Sequence, residues 1–362
     1  MFNLVFLKGD FYLNIKKIAL MKIEHKELLI FLMVAFGLPF FMGIPLAILS
    51  LSGIDTFSFA AAQMYSPGAG YILSKMICDK DNKLLPKTFF AGFLSLTIIM
   101  NLWCFALFLL PDSIVAKGSN YLVVAGTIIV GILLLREKYE KRIVYGLNSK
   151  NWKPSILLLV LFLVLFIARA LLFNLATGDL TKLLSSFSTS YLSMIFVGLP
   201  LSFLLSFSLF FGEEYGWRCY FQPLLQQKFG LIKGVLFFGL LWEFWHLPLV
   251  LFYYAPLDAF TTLAQFILMH LTNVMTTAIF MAYAYIRTNN IWLPVLIHCV
   301  NNYLSDFGTI TQTYTWVMIG YWILIQMVLF LPFLLSKVFR KPNVACGRAI
   351  EEEPDLTGEE DK

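Results

Sequence analysis

Glu213, Glu214, Arg218, Glu243, His246, His298 and Asn302 stand within almost unbroken apolar sequence. An ionisable side chain at membrane depth costs about 2.5–3.5 kcal/mol on insertion scales, so such residues mark function by default. The types gathered here do general-base and electrophilic work: carboxylates that take up a proton, imidazoles that hold one, and an amide that donates a hydrogen bond.

Spacing assigns partners within this set. On a helix Glu214 and Arg218 are i and i+4, the favourable order for an ion pair on one face. Glu213 points about 100° away. One glutamate is then neutralised structurally, and the other is free to hold a water. His246 follows Glu243 by three residues, so Glu243 either orients that imidazole or pairs with Arg169, another charge inside apolar sequence; both readings stay open. His298 and Asn302 are i and i+4 and can face one cavity.

The elements that must carry these residues are membrane helices. The 362-residue chain is 59% hydrophobic and only 14% charged, with a mean hydropathy of +0.77; a soluble chain carries about a quarter charged residues. Ten runs of membrane-spanning length are expected, at about 28–51, 57–77, 88–110, 119–135, 154–177, 191–212, 234–254, 262–286, 290–307 and 315–336. The second, fourth and ninth are short or weak. The fold class is therefore an all-α polytopic bundle, with the catalytic core in the C-terminal six spans. Basic residues alternate with poor connections along the chain: Lys80, Lys83 and Lys87, the cluster Arg136 to Lys153, Lys228 and Lys233, Arg287, and Lys337 to Lys341 fall on one side. The positive-inside rule then puts both termini in the cytoplasm; a bacterial plasma membrane is the expected location. No cleaved signal peptide is expected. On this topology His246 lies about 18 Å and His298 about 12 Å from the cytoplasmic face at about 1.5 Å per residue.

The hydrophilic stretch 136–153 divides an N-terminal membrane region (1–150) that shows no assignable motif from a catalytic membrane domain (151–337). Residues 338–362 read as a disordered acidic cytoplasmic tail. The net charge of +5 reflects the basic loops and the anionic leaflet they face, not a nucleic-acid partner. Cys78, Cys104, Cys219, Cys299 and Cys346 are scattered without zinc spacing and are expected to be free thiols.

The motifs E-E-x-x-x-R at 213–218, an aromatic-x-x-x-H element ending at His246 before Leu-Pro, and W-x-P-x-x-x-H-x-x-x-N at 292–302 occur in this order on separate spans. Together they resemble the CPBP family of CAAX-protease and bacteriocin-processing intramembrane endopeptidases, also called Abi, over roughly residues 191–307. Trp242 stands where that family usually has Phe, and Cys219 where Gly commonly follows the Arg. The resemblance implies intramembrane hydrolysis of membrane-associated, lipidated or leader peptides. Carried over, Glu213 is the general base, His246 its partner on the water, His298 and Asn302 the oxyanion side, and Glu214 the partner of Arg218. No cofactor is expected. Zinc on Glu213, His246 and His298, as in a metalloprotease, is the alternative. A non-catalytic bacteriocin self-immunity protein on the same scaffold is the alternative function.

Overall fold

A computed structural model describes residues 25–111, 115–254, 262–305, 307 and 313–340, and its elements are helical throughout. The basic segment before residue 25, the connection 255–261, and the tail from residue 341 with Cys346 lie outside the described residues. The long helices are α1 (His25–Leu51), α2 (Phe57–Cys78), α3 (Lys87–Leu109), α4 (Val115–Arg136), α5 (Trp152–Thr177), α6 (Tyr191–Phe229), α7 (Leu231–Tyr254), α8 (Leu263–Thr288), α9 (Trp292–Tyr303) and α10 (Trp316–Leu335). Apolar side chains are left bare along them, among them Leu29, Ile44, Leu157, Leu204 and Leu324, each more than 60% exposed. On a soluble protein such a surface would aggregate; on a bilayer it meets hydrocarbon. The protein is an integral, multi-pass membrane protein.

Every one of the ten expected segments is helical, but eight helices are both long and apolar enough to cross a membrane. The two that fall short are α2 and α9, and packing explains both. α2 is surrounded by protein and buried on nearly all sides, so Ala60, Ala61, Ala62, Ser66, Gly68 and Gly70 replace the bulky side chains that lipid-facing helices carry. α9 has 12 residues, about 18 Å at about 1.5 Å per residue, against about 30 Å of hydrocarbon. It is a half-length helix held inside the bundle.

α6 departs most from its expected bounds. The span 191–212 runs on without a break to Phe229, so Glu213, Glu214 and Arg218 sit inside a 39-residue helix and not at its end. A wide π turn at Trp217–Phe221 follows the two glutamates directly. Gly230, at φ +86°, then reverses the chain into α7. The stretch between α4 and α5 folds back across the bundle: the Tyr215 hydroxyl donates to the Tyr145 carbonyl (2.8 Å), and Trp292 Nε1 donates to the Leu147 carbonyl (3.1 Å). The most hydrophilic part of the chain is thereby tied to α6 and α9, the two helices that carry Glu213 and His298.

Candidate active site

The glutamates are placed by a contact that tolerates no side chain. A Cβ on Gly216 would lie 2.2 Å from the Pro67 backbone, and one on Gly212 would lie 2.9 Å from the Met64 carbonyl oxygen. α2 and α6 therefore touch backbone to backbone, the close approach that small-xxx-small pairs permit in membranes. Glu213 and Glu214 lie between the two glycines and are 1% and 0% exposed. A turn and a half earlier, the Ser208 hydroxyl bonds both Tyr65 (2.8 Å) and Thr127 (2.6 Å), so α2 and α4 fix the rotation of α6.

α7 is fixed in turn from the N-terminal helices. Trp245 Nε1 donates to the Ala35 carbonyl in the wide turn Met33–Gly37 of α1 (2.7 Å), and the Trp245 carbonyl accepts from Gln63 Nε2 on α2 (2.7 Å). A π turn leaves a carbonyl without its usual intrahelical donor, and Trp245 uses it. The next residue is His246.

Three side chains from three helices converge. His246 Nε2 is 3.9 Å from Glu213 Oε1, and His298 Nε2 is 4.0 Å from Glu213 Oε2. Both imidazoles are oriented through their other nitrogen. His246 Nδ1 is 2.9 Å from the Trp242 carbonyl, and His298 Nδ1 is 2.8 Å from Glu214 Oε1. Those partners only accept, so each Nδ1 carries a hydrogen and each Nε2 is turned toward Glu213. Glu214 also takes Arg218 Nε on its other oxygen at 2.7 Å. The guanidinium is completed by Gln222 Oε1 and Met281 Sδ and lies over the rings of Phe238 and Trp242. The pair expected from the i, i+4 spacing forms, and Glu214 has a second task in holding His298.

Three sequence readings change. Glu243 neither orients His246 nor pairs with Arg169; its Oε2 is 2.7 Å from His270 Nδ1 on α8. α8 lies across α7 and offers an imidazole at that height, which periodicity within α7 alone does not reveal. Among the described residues Arg169 has no carboxylate partner; it donates to Asn273 Oδ1 at 2.8 Å between the rings of Phe166 and Trp322. Asn302 is exposed near the end of α9, and its Oδ1 accepts from Asn301 Nδ2 at 3.2 Å, so its described bond is to its neighbour and not to the Glu213 cluster. Cys219 fits within the wide turn, its sulfur 3.5 Å from the Tyr285 hydroxyl.

Two residues of the site escape sequence reasoning. Trp242 Nε1 donates to Glu213 Oε1 at 2.6 Å, a bond that the Phe usual at this position cannot make. His270 brings a second imidazole to 5.2 Å from the His246 ring, and the Tyr254 ring stacks on His270 while also lying 6.4 Å from His246. The signal for Trp242 was its i−4 relation to His246; the signal for His270 was a lone histidine deep in an apolar span. Among the described residues no group of three His, Cys, Asp or Glu side chains has the spacing to hold a metal ion.

Residues 193–304, which contain this whole cluster, match the family model described as type II CAAX prenyl endopeptidase Rce1-like. A 65-residue stretch is 40% identical to CAAX prenyl protease 2 of Methanococcus maripaludis. This segment resembles the CAAX prenyl endopeptidases. The likeness to the Methanococcus protein covers 18% of this chain and 21% of that protein, so the chain spans about a fifth of the length of the curated relative it matches. The matched segment leaves out α1 to α4, yet α1 and α2 supply the carbonyl, the amide and the glycine contact that position α6 and α7.

Proposed function

We propose that the chain is an intramembrane endopeptidase of the CAAX type, cleaving a prenylated, membrane-associated protein or peptide with a water activated by Glu213 and His246. The observation that carries this reading is the pair of gaps, 3.9 and 4.0 Å, between the Glu213 carboxylate and two imidazole nitrogens already oriented toward it. Each gap is too wide for a direct hydrogen bond and suits a water oxygen held between the groups.

In this mechanism Glu213 takes a proton from the water as its oxygen attacks the scissile carbonyl. His246 Nε2 accepts the water's second hydrogen bond, and Trp242 Nε1–H keeps the carboxylate in place. The developing oxyanion takes the Nε2–H of His298, protonated and paired with Glu214. Glu213 then passes its proton to the departing amide nitrogen. Donors set in advance around a water-poor site need little reorganisation as charge develops.

This use of Glu213 as a base needs no metal, and the reaction proceeds on the protein's own groups. Elemental analysis of active protein tests the point: full activity at sub-stoichiometric zinc supports it, whereas activity lost on chelation and restored by zinc overturns it. The function is tested by incubating purified protein with a quenched prenylated C-terminal peptide, its unprenylated twin and a leader peptide. Cleavage of the prenylated peptide by wild type and not by Glu213→Gln is expected. Preference for the leader peptide would move the protein to the bacteriocin-processing branch.

A further inference from the structure

A cavity of about 270 Å³ opens between the inner wall of α4, the connection that follows it, α6 and α9. It is separate from the catalytic cluster: Phe203, which lines it, precedes Glu213 by ten residues on α6, about 15 Å along the helix. Its walls are of two kinds. Leu134, Leu135, Phe203 and Leu296 form an apolar trough, and Arg142, Asn148 and Ser149 close one end. Leu135 is 74% and Trp152 is 42% exposed, so the trough opens sideways, where lipid lies.

The polar end is built and unsatisfied. The Arg142 carbonyl accepts from the backbone N–H of both Leu147 (2.7 Å) and Asn148 (3.2 Å), a turn that brings the two residues' backbones together at the cavity. Arg142 Nε is buried without a hydrogen-bond partner. A buried donor left unpaired keeps its full desolvation penalty, and the penalty is larger for a charged group. An oxyanion at this end removes that penalty, and a guanidinium suits phosphate geometry. Arg136, Lys138, Lys141, Lys150 and Lys153 lie within the same stretch of chain against Glu137, which pairs with Lys141 (3.5 Å), and Glu140, so the stretch is net basic and favours an anion.

We propose that this cavity binds an anionic membrane phospholipid, its phosphate on Arg142, Asn148 and Ser149 and the start of one acyl chain along Leu135, Phe203 and Leu296. An apolar trough continuous with the bilayer favours a lipid over a soluble anion. Occupancy has a route to the site: Trp292 forms part of the cavity wall, and its ring stacks on Phe211, two residues before Glu213.

The test is thermal unfolding of the delipidated full-length protein in detergent, with added phosphatidylglycerol, phosphatidylcholine or inorganic phosphate. Phosphatidylglycerol is expected to raise the Tm of wild type by about 2–4 °C over phosphatidylcholine. Arg142→Gln should lose that difference, while Lys228→Gln, at the far end of α6 and outside the cavity, should keep it. Native mass spectrometry should show retained phosphatidylglycerol on wild type and little on Arg142→Gln. If Arg142→Gln folds poorly, Asn148→Asp, which places a carboxylate at the polar end, must also abolish the shift. Equal shifts with both lipids, or a shift that survives Arg142→Gln and Asn148→Asp, overturns the proposal. Inorganic phosphate alone giving the full shift makes this a free-anion site and overturns the lipid. Displacement of bound phosphatidylglycerol by the prenylated peptide in the Glu213→Gln background assigns the trough to substrate and overturns it as well.

Discussion

At the scale of single residues the adjacent glutamates divide their labour by what their oxygens touch. Glu213 accepts one indole N–H and faces two imidazole nitrogens across open gaps. Glutamine keeps that acceptor but cannot take a proton. Glu213→Gln is therefore expected to lower kcat by about 10²–10⁴-fold with detergent thermostability nearly unchanged. Glu214 instead binds Arg218 and His298 at once, with 0% exposure. Its replacement by Gln leaves a buried guanidinium without its countercharge, a loss of about 3–5 kcal/mol. Expression and thermostability should fall together with activity, and a stable but inactive Glu214→Gln would reverse the assignment. Trp242→Phe separates a third contribution, because it restores the family's usual side chain while deleting the bond to Glu213. About a tenfold fall in kcat, equivalent to about 1.4 kcal/mol, is expected with KM little changed. An unaltered kcat would show that packing alone holds the carboxylate.

At the scale of elements, the contact between α2 and α6 sets the position of both glutamates. Gly216→Ala must force apart two backbones that it meets at 2.2 Å, and no side-chain rotation relieves the clash. Overpacking of this kind costs about 1–3 kcal/mol or more. Gly216→Ala should thus reduce thermostability and, because α6 carries the base, reduce activity by a larger factor than stability alone explains. Gly320 on α10 has no atom within 4 Å of a built Cβ. Gly320→Ala is the control and should be neutral or stabilising by about 0.5–1 kcal/mol. Equal effects of the two substitutions, measured by thermal unfolding in detergent, would refute the backbone-contact account.

At the scale of the whole molecule, the alternation of basic loops makes a statement about sidedness. With both termini in the cytoplasm, reporter fusions after Lys153 and after Lys337 should both report the cytoplasmic side. A reporter outside at either position would move Glu213 to the other leaflet and exclude substrates lipidated in the cytoplasm. The half-length α9 bears on the same geometry. α9 ends within the bundle, with His298 buried and Asn302 exposed near its last turn.

The sequence by itself determined the fold class and singled out the buried ionisable groups that the structure gathers. Long apolar runs admit only helices in a bilayer, since every backbone polar group must be satisfied within its own segment. Charges that survive in such runs must be paired or functional, and so Glu213, Glu214, Arg218, His246 and His298 were legible from type and spacing. The i, i+4 pair of Glu214 and Arg218 was legible for the same reason, as both partners lie on one helix. Partners on different helices were not. That Glu243 meets His270, that Trp242 bonds Glu213, that Asn302 faces outward beside Asn301, and that Ala35 and Gln63 anchor Trp245 depend on how helices far apart in the chain are rotated and stacked. Periodicity fixes the face a residue occupies but not the neighbour that face will meet. The tertiary structure decided those neighbours, through backbone contact at Gly212 and Gly216 and through the wide turns that free carbonyls for distant side chains.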